Sequence, residues 1–286
     1  MSAGRAPGRT GRARRARPTR LAPGLLATAI LACALLLGGC SAAGLDARLL
    51  DPGLLDPGRR ALGDRAPVAF RAPAPSSYAV HGVDVAKYQG TIDWAALKAG
   101  GIAFAFIKAT EGGDRLDGRF DENWRAAREA GVLRGAYHFF YFCRPARQQA
   151  EWFIANVPRE RGALPPVLDM EWNGHSPTCA IRVPREKALA EMRVFISMIE
   201  RHYGQRPIIY STVDFQRDVL AGEFDGYDHW LRSVARHVED VHPERDWRFW
   251  QYTATGRAPG VAGDVDLNVF HGPPRDWRRW VRRRVR

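Results

Sequence analysis

"RGAYHFFYFCRPARQQAEWFIANVPRERGALPPVLDMEW" occupies residues 134–172 and contains one full unit of the pattern that decides the fold. "RGAYHFFYF" (134–142) reads as a strand, because aromatic side chains suit a pleated, buried surface. "PARQQAEWFIANV" (145–157) reads as a helix opened by Pro145, whose missing N–H has no intrahelical partner in the first turn anyway. "PPVLDMEW" (165–172) reads as the next strand. Strands alternating with helical segments of this length imply parallel pairing through crossovers. The second strand carries Asp169 and Glu171 inside an apolar run, and buried acids are costly unless something pairs or uses them.

The same alternation extends in both directions. "HGVDVA" (81–86) and "IAFAFIKAT" (102–110) read as strands, the second apolar enough to be buried on both faces. "IDWAALKAG" (92–100), with Asp93 near its N-cap, and "RFDENWRAAREAG" (119–131) read as helices. "PREKALAEMRVFISMIERHYG" (184–204) is a long helix between Pro184 and Gly204. "RPIIYST" (206–212), "DHWLRSV" (228–234), "RFWQYT" (248–253) and "VDLNVF" (265–270) are further strands with little helix between them. The expected fold is α/β: an irregular single-domain β/α (TIM-like) barrel with about eight strands and helices mainly after the first five. An open doubly wound sheet is the competing architecture. No GxGxxG follows the first strand, so no dinucleotide cofactor is signalled, and none is expected.

Of the 286 residues, 45% are hydrophobic and 26% charged, as in an ordinary globular chain. The formal charge of +12 is confined to the ends. Residues 1–39 hold seven Arg and no acid, and residues 275–286 hold seven Arg and one Asp, which leaves residues 40–274 at −1. A near-neutral body lacks the cationic surface that phosphate backbones require, so nucleic acid is excluded as a partner.

The N-terminus reads as an export signal over 1–39: an Arg-rich start, then the uncharged run 21–39 with its most apolar part from Leu25 to Leu37. It ends in "LGGC" (37–40), which resembles a bacterial lipobox, with Cys40 as the lipidated first mature residue and the anchor to a membrane facing the periplasm or exterior. An uncleaved membrane anchor is the alternative, since the run reaches the length of a short span. Residues 40–78, rich in Ala, Pro, Gly and Arg, read as a flexible tether. The barrel is expected over 79–272, and 273–286 reads as a solvated basic tail, with binding of anionic lipid or wall polymers by 275–286 as the alternative. Cys143 and Cys179 remain as two thiols of an exported domain, which suggests a disulfide, against the alternative of two buried thiols.

In a parallel barrel, reactive groups sit at the C-terminal strand ends. That rule selects Asp84, Lys108, Glu111, Tyr137, His138, Asp169, Glu171, Tyr210, Trp250, Gln251, Tyr252, Asp266 and Asn268. Asp169 and Glu171 point the same way, since strand side chains alternate. Two close carboxylates between apolar walls divide their protons unequally, and glycoside hydrolysis needs one acid and one anion. The spacing alone is weak, because Asp264-Val-Asp266 has it too.

"DVAKYQGTIDW" (84–94), "FAFIKATEG" (104–112), "GAYHFF" (135–140), "LPPVLDMEW" (164–172), "PIIYST" (207–212) and "WQYT…GDVDLNVF" (250–270) together resemble the glycoside hydrolase 25 lysozymes, the Chalaropsis-type muramidases. The resemblance runs in order through about residues 79–272. It implies an irregular β/α barrel that hydrolyses the β-1,4 bond between N-acetylmuramic acid and N-acetylglucosamine in peptidoglycan. It further implies Glu171 as general acid and Asp84 and Asp169 as partner carboxylates. Asp266 would line the cleft, with Tyr137, Tyr210, Trp250 and Gln251 near bound sugar. Ala86 departs from the family's usual Ser. The expected division of protons is Glu171 protonated and Asp169 charged. No metal is expected and the chain is expected to act as a monomer. A chitinase-type site is disfavoured by Leu164 and Val167, where that family carries acids. A metal-dependent hydrolase built on His81, Asp84 and His138 lacks a ligand cluster. A non-catalytic wall-binding module is the remaining alternative.

Overall fold

A computed structural model describes residues 60–285. The expected export signal, Cys40 and the first part of the tether lie outside the described residues, as does Arg286.

Eight strands form the barrel: β1 (His81–Val85), β2 (Ile102–Glu111), β3 (Leu133–Phe139), β4 (Val167–Met170), β5 (Ile208–Ser211), β6 (Asp228–Arg232), β7 (Phe249–Arg257) and β8 (Val265–Phe270). Strands β1 to β7 pair in sequence order, each parallel to the next. β8 closes the barrel antiparallel to both β7 and β1. Helices α1 (Trp94–Ala99), α2 (Phe120–Ala130), α3 (Ala146–Asn156) and α4 (Arg185–Tyr203) follow the first four strands. Only short helical turns, Val213–Leu220 and Val238–Val241, follow β5 and β6. The barrel and its thinning helical jacket are as the alternation of segments predicts.

Asp93 caps α1 through its side chain, which accepts from the Ala96 N–H, and Gly131 and Gly204 end α2 and α4 in the left-handed conformation. The barrel interior is packed by Phe104 and Phe106 of β2 against Phe249 and Trp230. Neighbouring strands make room with glycine. A Cβ on Gly82 would lie 2.3 Å from the Phe104 ring, and one on Gly135 3.1 Å from Phe106. Side-chain alternation then dictates the next layer. Two residues beyond these core positions the same faces carry Asp84, Lys108, Tyr137, Arg232 and Gln251.

Both ends of the expected domain need correction. Of the expected tail, the described residues 273–285 are not free: Pro274–Arg284 form a helix, α5, with Trp277, Trp280 and Val281 buried. These rings pack on Phe104, Phe249 and Phe270. Trp280 Nε1 donates to Asp228 Oδ2 at 2.9 Å. Asp228 and Phe249 begin their parallel strands and Phe270 ends the antiparallel one, so α5 plugs the N-terminal end of the barrel. Residues 60–78 are likewise not a loose tether. Gly63–Asp64 pairs with Arg257–Gly256 of β7. Phe70 stands edge-on to Trp250 at 5.0 Å, and Arg71 bridges Glu239 and Asp240. Residues 60–285 thus hold a closed barrel, its jacket and its end plug.

Cys143 and Cys179 are joined, with Cα atoms 5.8 Å apart and a sequence separation of 36. The bond links the loop after β3 to the loop after β4, both at the C-terminal end. Closing a loop of that size removes about 4 kcal/mol of chain entropy from the unfolded state. Replacing both cysteines by Ser is therefore expected to lower the unfolding free energy by about 2–4 kcal/mol in urea titrations. A shift near zero would show that the bond carries no stability.

Candidate active site

The sixth, seventh and eighth strands and the first converge on Asp84, which is 8% exposed. Asp84 Oδ1 accepts from Asn268 Nδ2 at 2.7 Å and from Gln251 Nε2 at 2.9 Å. Both amides are held in turn. Tyr210 OH donates to Gln251 Oε1 at 2.9 Å, and Trp230 Nε1 donates to Asn268 Oδ1 at 2.7 Å. Each amide oxygen is occupied by a donor, so each amide nitrogen must face the carboxylate. Burial pushes the Asp84 carboxyl up to about 6, and the two amide hydrogen bonds limit that rise. Asp266 lies directly across from Asp84 in the β8–β1 register. Burial, reinforced by the Asp84 charge, pushes the Asp266 carboxyl up to about 8.

Asp169 is the penultimate residue of β4, 6% exposed, beside Tyr210 in the β4–β5 register. Glu171 follows the strand and is more open. The two carboxyls lie within reach of a shared proton. Burial raises both above the usual carboxylate range, and the neighbouring Glu171 charge raises Asp169 further. Asp169, the more deeply buried of the two, is the one raised further. Asp169 Oδ1 is buried with no hydrogen-bond partner among the described residues.

Tyr137 faces the same acids. Its ring stands edge-on to Trp230 at 6.5 Å, and burial followed by the Asp84 and Asp169 charges drives its phenol well above 10. Lys108 approaches from β2, bound to Glu111 Oε2 at 2.7 Å and lying over the Phe139 ring. Arg232 sits beside Gln251 in the β6–β7 register, and its guanidinium favours the ionised forms of Asp84, Glu171 and Asp266.

Seven of the eight expected site residues thus meet at one barrel end: Glu171, Asp169, Asp84, Asp266, Tyr137, Tyr210 and Gln251. Trp250 does not. It is fully buried on the outer side, against Phe70, Tyr78 and Trp247, with Nε1 donating to Ser233 O at 2.8 Å. Adjacent residues of a strand face opposite sides, so Gln251 in the barrel forces Trp250 out of it. Trp230 and Arg232 are site residues that the motifs did not select. Their own alternation in "DHWLRSV" was the available signal. Asp264, the decoy of equal spacing, is bound at the surface by Arg65 and Arg257. His138 is buried between Thr110 Oγ1 and Gln149 Oε1 and stacked on Phe195, with burial pushing its imidazole down to about 4. It is a neutral structural residue. Among the described residues no group of three His, Cys, Asp or Glu side chains is placed to hold a metal ion.

Asp266 provides a stability test of this acid cluster. Its folded-state pKa lies above the unfolded value, so the native state binds the extra proton. Its contribution to stability is present below about 3.8 and is lost as pH rises to about 8. Asp266→Asn should therefore leave stability unchanged near pH 3 and raise it near pH 8. A gain above about 1.4 kcal/mol, the worth of one pKa unit, is expected in urea melts at the two pH values. Equal effects at both would exclude a raised Asp266.

A β/α barrel with acids, amides and a tyrosine gathered at its C-terminal strand ends defines a hydrolase site of the paired-carboxylate kind. Residues 83–261 match the family described as Glycosyl hydrolases family 25. The chain is 38% identical to Lysozyme M1 of Streptomyces globisporus over 219 residues, 70% of each protein. It is also 38% identical to the uncharacterized protein YegX of Escherichia coli K12, across 73% of this chain and 76% of that one. A family 25 glycosyl hydrolase structure from Bacillus anthracis superposes with a TM-score of 0.66 at 38% identity, covering 76% of this chain and 98% of that one. This chain belongs to glycosyl hydrolase family 25 and is a glycoside hydrolase.

Proposed function

We propose that the protein is a peptidoglycan muramidase in which Glu171 is the general acid and Asp169 serves the substrate's acetamido group. The observation that carries the reading is the buried, unpartnered Asp169 Oδ1 next to Glu171. A buried acceptor without a partner costs free energy, and an amide N–H from an N-acetylated sugar would satisfy it. That donor favours ionised Asp169 and moves the shared proton to Glu171, so substrate binding itself would arm the acid.

The steps follow. Glu171 gives its proton to the glycosidic oxygen leaving with N-acetylglucosamine. The acetamido oxygen of N-acetylmuramic acid attacks its own C1 as the bond breaks, and Asp169 stabilises the charge that develops on the acetamido group. Water then opens the ring at C1, with ionised Glu171 as base. Asp84 and Asp266 hold the opposite wall. The likeness to Lysozyme M1 supports the substrate class, and the "LGGC" motif supports lipidation at Cys40 and work in the cell envelope. The test is digestion of purified peptidoglycan with NMR of the first-formed products. New N-acetylmuramic acid reducing ends in the β configuration are expected. Inverted product would exclude participation of the acetamido group, and absence of new reducing ends would exclude the muramidase reading.

A further inference from the structure

The barrel end opposite the carboxylates carries a charge pattern that glycan hydrolysis does not use. Helix α5 turns Trp277, Trp280 and Val281 inward. Arg275, Arg279, Arg282 and Arg283 are exposed and Arg278 is half-buried. Arg279 pairs with Asp276 and Arg284 with Asp228. Among the described residues Arg275, Arg278, Arg282 and Arg283 form no ion pair. Like charges three and four residues apart on one helix repel each other, so this face is electrostatically incomplete. Arg283 and Arg284 also share a hollow with Arg206 at the end of α4.

A second observation concerns where the chain joins the barrel. The Ala61 N–H donates to Gly100 O at 3.2 Å, in the turn leading into β2. Arg60 Nη1 donates to Tyr78 O at 2.6 Å, just ahead of β1. Both contacts lie toward the N-terminal end of the barrel, which α5 plugs. Arg60, where the described residues begin, thus lies on the arginine-bearing side, twenty positions after Cys40 in the sequence. No aromatic of α5 is exposed, so the base-stacking platform of a single-stranded nucleic-acid site is missing.

We propose that α5 is a docking surface for an anionic phospholipid bilayer, which turns the carboxylate end of the barrel away from the membrane and toward the glycan. The surface acts whether or not Cys40 carries lipid, and its failure would leave the muramidase reading intact. The test uses the chain from Arg60 onward, which contains the barrel, its jacket and its end plug, in co-sedimentation with vesicles. It should bind phosphatidylcholine vesicles containing one third phosphatidylglycerol, bind pure phosphatidylcholine at least tenfold more weakly, and be released by molar salt. Each basic residue near such a surface contributes about fivefold in affinity. Replacing Arg275, Arg278, Arg282 and Arg283 by Gln should therefore weaken binding at least a hundredfold. Arg282→Gln with Arg283→Gln alone should weaken it at least tenfold, with hydrolysis of soluble glycan unchanged. Arg144→Gln with Arg147→Gln, at the opposite end, should bind as the parent does. Equal binding to neutral vesicles, no binding to anionic ones, or an unaffected double variant would overturn the proposal. So would displacement by soluble poly(glycerol phosphate) at equal charge, which would make the partner a wall polymer.

Discussion

Glu171→Gln is expected to lower kcat on peptidoglycan about a thousandfold while changing KM by no more than a few fold. The amide keeps the shape of the side chain and its place next to Asp169. It lacks an acidic proton to give to a leaving sugar oxygen, and a positioned general acid is worth about a hundredfold to ten-thousandfold in rate. Binding should survive, because the glycan is held by the surrounding wall rather than by this proton. The folded state should be no less stable than the parent, since one of two crowded carboxyls becomes neutral. Initial rates of muropeptide release, paired with equilibrium binding of an uncleaved fragment, check both halves of the expectation. A loss below tenfold would remove Glu171 from the acid role and leave it to Asp169, whose carboxyl burial raises well above the usual range.

Asp169→Asn is expected to reduce kcat at least about a hundredfold and to move the alkaline limb of the pH profile downward. Two effects contribute. Asparagine retains an oxygen that can accept from the acetamido N–H but loses the charge that supports cationic character on that group in the transition state. It also removes the like charge that makes the last proton of the pair hard to lose. In the parent, burial and mutual repulsion keep that proton bound to higher pH. Without the repulsion Glu171 ionises earlier, so the acid form disappears at lower pH. Profiles of kcat/KM against pH for parent and variant provide the measurement. An unmoved alkaline limb would show that Asp169 does not tune Glu171. A variant with full kcat would show that no negative charge is needed beside the acetamido group.

The electrostatics of the site and the proposed chemistry are joined by the orphaned Asp169 oxygen. A carboxylate that met all its partners within the protein would have no reason to prefer an N-acetylated ligand. One that is desolvated and short of a donor is stabilised when such a ligand arrives. The Asn268 and Gln251 amides treat Asp84 differently. They satisfy it in advance, so Asp84 is better suited to holding the site's geometry and field than to exchanging protons during turnover.

Much of this was legible before any coordinates. The apolar runs and amphipathic segments located all eight strands and the main helices, because burial of a strand and of one helix face each imprints its own period on the sequence. Strand parity put Asp169 and Glu171 on one face. Collinear motifs identified the family. The C-terminal helix was legible too, in Trp277, Trp280 and Val281 at helical spacing. Seven arginines masked it, because composition averages over faces while packing does not.

Other features lay beyond the sequence. "WQ" at 250–251 places one residue in the barrel and one outside, but alternation does not say which, and the amide was inside because Asp84 and Tyr210 bind it there. Arg232 and Trp230 became site residues only when closure of the barrel brought β6 beside β7 and across from Asp84 and Asn268. How far each acid of "VLDMEW" is raised was set by its burial, a property of the whole fold rather than of the motif. The sequence by itself thus determined the secondary structure, the barrel and the set of acids, since these follow from local periodicity and residue identity. The tertiary structure alone decided which side chains share the site and how deeply each acid is desolvated, since contact and desolvation depend on strands distant in the chain.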